Sequence, residues 1–337
     1  MTQKICLISF DHWNYDKHIV EKLNEKGIDA FHIKIGGFKH KNLASRIKNS
    51  FSKIFLGKNP KIQKRQEHIL NMLKLKGFQD QILVINPEVI DLDCHLEIKK
   101  FTKKYITYLY DSVDRCPVEN LMEGIFDEVF SFDKEDVKKY GFKKITNYNY
   151  LEKQPIPKQE HIKTQLLYIA SFDNRLEKVI KLKEILIQIG ISFRFIIVGK
   201  KTTLYKLRNK FSKAIDNIEL RRKRINQNDL KELYNETQVV LDLVRENQTG
   251  LSFRVFETMA FHKKLITNNK TIIDYNFYNP NNILVIDDEN YKIDKTFFET
   301  DYQFIPDDIY YIYTLDNWVN SVFNLKNKKI ITFVRNL

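Results

Sequence analysis

Short apolar runs of strand length alternate with helix-length amphipathic segments along most of the chain, and this alternation limits the fold more than any other feature of the sequence. Residues 4–11 read as a buried strand. Residues 16–25 place Ile19, Val20 and Leu23 on one helical face before Gly27 stops the helix, and residues 28–35 read as a second strand. Further strand-like runs lie at 81–85, 105–110 and 128–132, separated by helix-like segments at 95–102 and 134–140. Repeated βα units of this kind predict a parallel sheet covered by helices.

The pattern breaks over 151–163, a polar stretch with Pro155 and Pro157 that reads as a linker. A second series then begins with a strand at 165–171, a helix at 176–189 closed by Gly190, and a strand at 193–199. Strand-like runs at 239–244, 264–267 and 283–286, with a helix at 252–262, extend it. A chain of 337 residues is long enough for two such cores. The expected division is 1–155 and 156–337. A last helical segment at 315–325, apolar at Trp318, Val322 and Leu325, is expected to be able to pack back on the first domain.

The richest run for chemistry is Asp242-Leu-Val-Arg-Glu-Asn-Gln-Thr-Gly-Leu-Ser-Phe-Arg-Val-Phe-Glu257, which reads as strand, polar loop and helix start. Gly250 permits close backbone approach, and unpaired amides at a helix N-terminus suit a diphosphate, with Arg254 placed to neutralise it. Glu257 is placed to accept hydrogen bonds from ribose hydroxyls. Ser252 and Gln248 belong to the same candidate donor site, as do Ser171 and Arg175 in the loop after residue 170. The plain alternative is a helix start capped by Ser252, with Phe253, Phe256 and Met259 in a core.

The run Glu257-Thr-Met-Ala-Phe-His-Lys-Lys-Leu-Ile resembles the stretch in GT-B glycosyltransferases where a glutamate precedes small and apolar residues, a Gly-x-Pro and a strand. The resemblance implies two Rossmann-like doubly wound domains with an interdomain cleft, a nucleotide-sugar donor in the C-terminal domain, and a ribose-holding role for Glu257. His262 stands where glycine is usual and Lys264 where proline is usual. The earlier glutamate of the retaining E-x7-E pattern falls on Thr249, which leaves inversion and retention open. Tyr108-Leu-Tyr-Asp-Ser-Val-Asp-Arg115 and Phe126-Asp-Glu-Val-Phe-Ser-Phe-Asp133 further resemble bacterial lipopolysaccharide and capsule enzymes, which implies a glycan or glycolipid acceptor.

An inverting enzyme needs a general base at the C-terminal ends of first-domain strands. Asp11 and His12 follow the opening strand, and Asp111 follows the strand at 105–110, so His12 oriented by Asp111 is the candidate dyad, with Asp11 or Asp111 acting alone as the alternative base. Asp111 equally suits a strand-end carboxylate paired with Arg115. Asp91-Leu-Asp93 is the only Asp-x-Asp and precedes a predicted helix, so no metal and no cofactor is expected, the nucleotide-sugar being a substrate. Cys6, Cys94 and Cys116 have neither disulfide-framework nor zinc spacing, which fits a reducing compartment.

The formal charge of +13 favours a partner that carries phosphates. Residues 31–65 contain no acid, and ten basic residues run from Lys34 to Arg65. Leu43, Ile47, Phe51, Ile54 and Phe55 recur there at helical spacing, so residues 34–65 form a candidate surface for an anionic membrane or a phosphorylated glycolipid, or else pack their stripe on the sheet. No signal peptide is read at the start, and no apolar run nears the roughly 18–20 residues needed to cross a bilayer, so a cytoplasmic chain at the inner face of the plasma membrane is expected. The competing functions are a basic nucleic-acid-binding protein, for which no motif is present, and a GT-B-like epimerase or phosphorylase.

Overall fold

The computed structural model describes residues 2–11, 14–36, 60–121, 123–156, 159–209, 213–245, 248–288 and 291–325. The chain divides into two compact units, Met1–Thr146 with Thr314–Leu337, and Asn147–Tyr313.

The first unit is built on six parallel strands, β1 (Lys4–Ser9), β2 (Asp29–Lys34), β3 (Gln79–Ile85), β4 (Thr102–Leu109), β5 (Glu128–Ser131) and β6 (Lys143–Lys144), in the order β2-β1-β3-β4-β5-β6. The chain leaves β1 towards β2 and then returns to β3 on its other side. The topological switch point therefore lies between the C-terminal ends of β1 and β3. β1 ends at Ser9 rather than at the expected residue 11, because Asp11 takes a left-handed φ of 47°. Above it, Gly36 lets the chain after β2 pass so close to the Phe10 carbonyl that a Cβ would sit 2.8 Å from that oxygen.

The C-terminal helix Leu315–Val322 belongs to this unit. Trp318 meets the Tyr108 ring edge-on at 5.2 Å, Asp316 pairs with Lys26 at 2.6 Å, and Gln81 donates to the Phe323 carbonyl at 2.9 Å. Helix Pro60–Lys76, inside the basic stretch, turns Arg65 inward, where it donates to the Val89 carbonyl and lies 4.5 Å from the Phe10 ring centre. The apolar positions 43, 47, 51, 54 and 55, and the lysines from Lys39 to Lys58, lie outside the described residues.

The second unit repeats the plan with β7 (Thr164–Ser171), β8 (Phe193–Val198), β9 (Ile218–Arg221), β10 (Thr237–Asp242), β11 (Lys264–Thr267) and β12 (Ile283–Val285), all parallel in the order β12-β11-β10-β7-β8-β9. Here the switch point lies between β7 and β10. Helix Leu176–Gln188 buries Leu176, Val179, Leu182 and Leu186 against the sheet, each such side chain contributing about 2 kcal/mol. Gly190, at φ 72°, ends it as the spacing predicts, with the Ile191 amide returning to the Leu186 carbonyl.

The division into units falls before the proline stretch expected to mark it. Asn147 donates to the Leu251 carbonyl, Asn149 Nδ2 donates to the Tyr310 hydroxyl oxygen, and Tyr150 donates to Glu257, so this strip is sewn into the second unit. Two parallel, doubly wound sheets are the GT-B architecture that the sequence led us to expect.

Candidate functional site

Strand β10 ends on Asp242, a buried carboxylate that organises the switch point of the second unit. Its Oδ1 accepts from Ser252 Oγ at 3.0 Å and from Arg254 Nη1 at 2.8 Å, while Oδ2 has no hydrogen-bond partner. Ser252 thus has the extended backbone of an N-cap but spends its hydroxyl on Asp242. The amides at the start of helix Phe253–Ala260 receive no side-chain cap from it.

Arg254 also donates to the Ile169 carbonyl of β7 and lies 5.7 Å from the Tyr168 ring centre, so it ties the two strands of the switch point together. Burial opposes its charge, but Asp242, with Tyr234, Tyr168 and Glu257 nearby, outweighs burial and holds the guanidinium above its usual range. One turn further on, Glu257 is 3% exposed. Its Oε1 accepts from Tyr150 at 2.8 Å and its Oε2 from Tyr234 at 2.6 Å.

The loop after β7 carries the second cationic group. Arg175 grips Asp173 through Nε at 2.9 Å and Nη2 at 2.7 Å, and donates from Nη1 to the Leu243 carbonyl of the β10 loop at 2.8 Å. Arg245 reaches the same Asp173 oxygen at 3.4 Å. Burial raises the Asp173 pKa, but the Arg175 fork and Arg245 more than reverse this and hold the carboxyl below its usual range. The stretch at Gly250 is pinned from outside: Asn269 donates to the carbonyls of Thr249 and Gly250, and Thr271 to that of Thr249. Ser171, the last residue of β7, and Gln248, on the loop after β10, are part-exposed.

Seven candidate donor residues therefore sit at the end of β7 and on the two loops and one helix that frame the β7/β10 switch point. Ser252 and Arg254 meet on Asp242, and Arg175 bridges the loops. Two departures from the family pattern have local causes. His262 adopts φ 51°, with its amide bonded to Met259 O and the Lys263 amide to Thr258 O, so it fills the left-handed helix-ending position where glycine costs least. Lys264 is buried, with its ammonium donating to Phe297 and Thr300.

In the first unit, Asp11 is buried at the β1 end, accepts from the Asp16 amide at 3.1 Å and pairs with Lys34 at 3.3 Å. Asp111 pairs with Arg115 at 3.1 Å across one turn. His12, and with it the proposed dyad, lies outside the described residues. The residue that sequence reasoning missed here is Asp16, which opens helix Asp16–Glu25 and is 2% exposed. It accepts from Ser9 Oγ and, at 2.5 Å, from Tyr110 OH. Burial is the main cause that lifts its pKa from 3.8 to about 6, and Asp11 adds to it against the pull of the two hydroxyls. An acid in the first turn of a helix reads as a routine terminus, so only its three-dimensional partners mark it.

Residues 176–301, wholly within the second unit, match the glycosyl transferase-like family. No curated protein sequence matches the chain. Among solved structures, the chain is similar to the apo form of the lipopolysaccharide outer core galactosyltransferase WaaB, at 12% identity and a TM-score of 0.56, over 96% of this chain and 99% of that one. It is also similar to an alpha-glucosyltransferase in complex with UDP and a 13-mer DNA, at 11% identity and a TM-score of 0.54, over 96% and 95%. A third is the UDP-N-acetylglucosamine 2-epimerase from Rickettsia bellii, at 11% identity and a TM-score of 0.52, over 96% of both chains. These likenesses establish the fold.

Proposed function

We propose that the chain is a glycosyltransferase that binds a nucleotide-sugar in its second unit and transfers the sugar to a hydroxyl of a glycan or glycolipid. The observation that carries this reading is the coincidence of three things at the β7/β10 switch point: the glycosyl transferase-like segment, a helix start that the Ser252 side chain does not cap, and the cluster of Arg175, Arg245, Arg254 and Glu257. The diphosphate would be received by the helix amides and Arg175, and the ribose by Glu257 in exchange for one of its tyrosine partners. The acceptor oxygen attacks the anomeric carbon as its bond to phosphate breaks, and the nucleoside diphosphate leaves with the electron pair.

The likeness to WaaB and the residues at 108–115 and 126–133 support a surface-glycan acceptor, as in lipopolysaccharide or capsule assembly. The reading requires no metal. Residues 34–65 would serve as the contact to anionic lipid, which suits a cytoplasmic enzyme at the inner membrane face. No helix among the described residues is long and apolar enough to cross a membrane.

A calorimetric and thermal-shift screen of UDP, GDP, ADP and their sugars tests the donor claim. One nucleotide class should bind saturably, and Glu257→Gln and Arg175→Ala should weaken it. If none binds at millimolar concentration, the reading fails. The likeness to an epimerase favours one competing reaction, and mass and NMR analysis of products separates them: transfer consumes an acceptor, whereas epimerisation returns an isomer of the same nucleotide-sugar.

A further inference from the structure

The first unit holds a chain of hydrogen bonds that the donor site does not explain. At the C-terminal edge of its sheet, Tyr110 follows β4 and reaches past the end of β3 to donate to Asp16 Oδ1 at 2.5 Å. Ser9, at the end of β1 and fully buried, meets both Asp16 Oδ2 and, at 2.9 Å, His32 Nε2.

The proton count of this chain is determined by its chemistry. An ionised carboxylate only accepts, and Asp16 in that state uses both oxygens, one for Tyr110 and one for Ser9. Ser9 has a single proton, so while it donates to Asp16 its contact with His32 requires His32 to donate from Nε2. His32 suits that neutral tautomer, since burial, aided by Lys34, lowers its pKa against the opposing pull of Asp11. When Asp16 takes up a proton it must donate one of the two bonds. Ser9 is locked between two partners deep in the unit, whereas Tyr110 is part-exposed.

We propose that Tyr110 and Asp16 are the proton-accepting pair of the first unit, with Tyr110 the catalytic residue that touches the acceptor hydroxyl and Asp16 the positioning residue behind it. The proposal rests on the glycosyltransferase reading. The acceptor hydroxyl passes its proton to the Tyr110 oxygen as Tyr110 passes its own to Asp16 Oδ1. The electron pair released on the acceptor oxygen forms the bond to the anomeric carbon, and the pair of the broken carbon–oxygen bond goes to the nucleoside diphosphate. The products are the glycoside, the diphosphate with one more negative charge, and neutral Asp16.

Among the described residues, the charged and titratable groups around Asp16 and its direct partners include Asp11 after β1, His32 and Lys34 on β2, Tyr110 after β4 with Asp111 and Arg115 beyond it, and Lys17, His18 and Glu21 on its own helix. Burial is the main cause that raises the Asp16 pKa and the charge of Asp11 adds to it, which favours a carboxyl able to hold a proton near neutral pH.

The test measures nucleoside diphosphate release from UDP-, GDP- and ADP-sugars with water as acceptor, for the wild-type chain and for Tyr110→Phe, Asp16→Asn and Asp16→Glu. Tyr110→Phe and Asp16→Asn should each lower kcat on the order of a hundredfold, with the donor KM and calorimetric nucleoside diphosphate affinity within about threefold of wild type. The wild-type kcat should fall as pH drops through about 6, a limb that disappears in Asp16→Asn, and Asp16→Glu should recover part of the rate. Wild-type turnover left within twofold by both Tyr110→Phe and Asp16→Asn, in variants with native circular dichroism, overturns the pair alone. Absence of nucleoside diphosphate release by the wild type from every one of these sugars, together with absence of UDP, GDP and ADP binding, overturns the transferase reading and the pair with it.

Discussion

Asp16→Asn makes the buried carboxyl visible without any knowledge of substrate. The folded pKa of about 6 stands above the ordinary 3.8, so the native state holds the proton more tightly than the unfolded chain. The stability this confers is fully present below about pH 3.8 and is lost as pH rises through about 6. At 1.36 kcal/mol per pH unit, the first unit is about 3 kcal/mol less stable at pH 7.5 than it would be if Asp16 stayed neutral. Asparagine has the same shape and does not titrate. The free-energy difference between variant and wild type should therefore move by about 2 kcal/mol in favour of the variant between pH 4 and pH 7.5, the rest of the change lying below pH 4.

A constant offset is also expected, because an amide nitrogen cannot accept from both Ser9 and Tyr110. The slope, not the offset, carries the information. Urea unfolding followed by tryptophan fluorescence is the assay, since both tryptophans, Trp13 and Trp318, belong to the first unit. A difference that stays flat to within about 1 kcal/mol across this pH range would refute the burial argument. A slope of the opposite sign would mean that Ser9 and Tyr110 outweigh burial.

Three further outcomes follow from the second unit. Glu257→Ala removes the acceptor of two buried phenols and should lower the melting stability of this unit by about 2–4 kcal/mol by calorimetry, whereas Tyr234→Phe should cost about 1 kcal/mol; a loss below 1 kcal/mol in Glu257→Ala would contradict the observed network. His262→Gly should be more stable than His262→Ala by about 1 kcal/mol in thermal unfolding, because both lose the ring but only alanine keeps the left-handed strain. Asp173→Asn should tighten several-fold the binding of the nucleoside diphosphate that the wild type binds, and Arg175→Ala should weaken it about tenfold or more, both read by calorimetry; no change in either removes Arg175 from the phosphate site.

The elements most legible in the sequence were those whose burial is written in local periodicity. Helix Leu176–Gln188, its Gly190 stop and the flanking strands β7 and β8 appear where the apolar spacing places them. Strand β9 and helix Thr202–Arg208 escaped notice because β9 is a sheet edge of four residues and the helix buries little beyond Thr202. Helix Pro60–Lys76 was submerged in the charge of the basic stretch, although Ile69 and Leu73 are buried. At the candidate site, the loop and helix around Glu257 were readable as a unit, but their partners were not. Tyr150 and Tyr234 come from distant segments, and no local pattern announces that two phenols converge on one carboxylate. Asp16 is the same case in the other unit, since Ser9 and Tyr110 reach it from different strands.

These convergences bear on how a donor would be bound and released. Each arginine at the second switch point already has a carboxylate: Arg254 has Asp242, while Arg175 and Arg245 share Asp173. Asp242 is buried and Arg254 ties β7 to β10, so that pair belongs to the frame of the site. Asp173 is different, for it lies on a loop and is part-exposed. On the proposed reading, a diphosphate arriving at Arg175 exchanges one anion for another, and only the difference between the two interactions contributes to affinity. The same exchange runs in reverse when the nucleoside diphosphate departs, since Asp173 then recovers its arginines. A carboxylate partner thus weakens donor binding and hastens product release, which is favourable where release limits turnover.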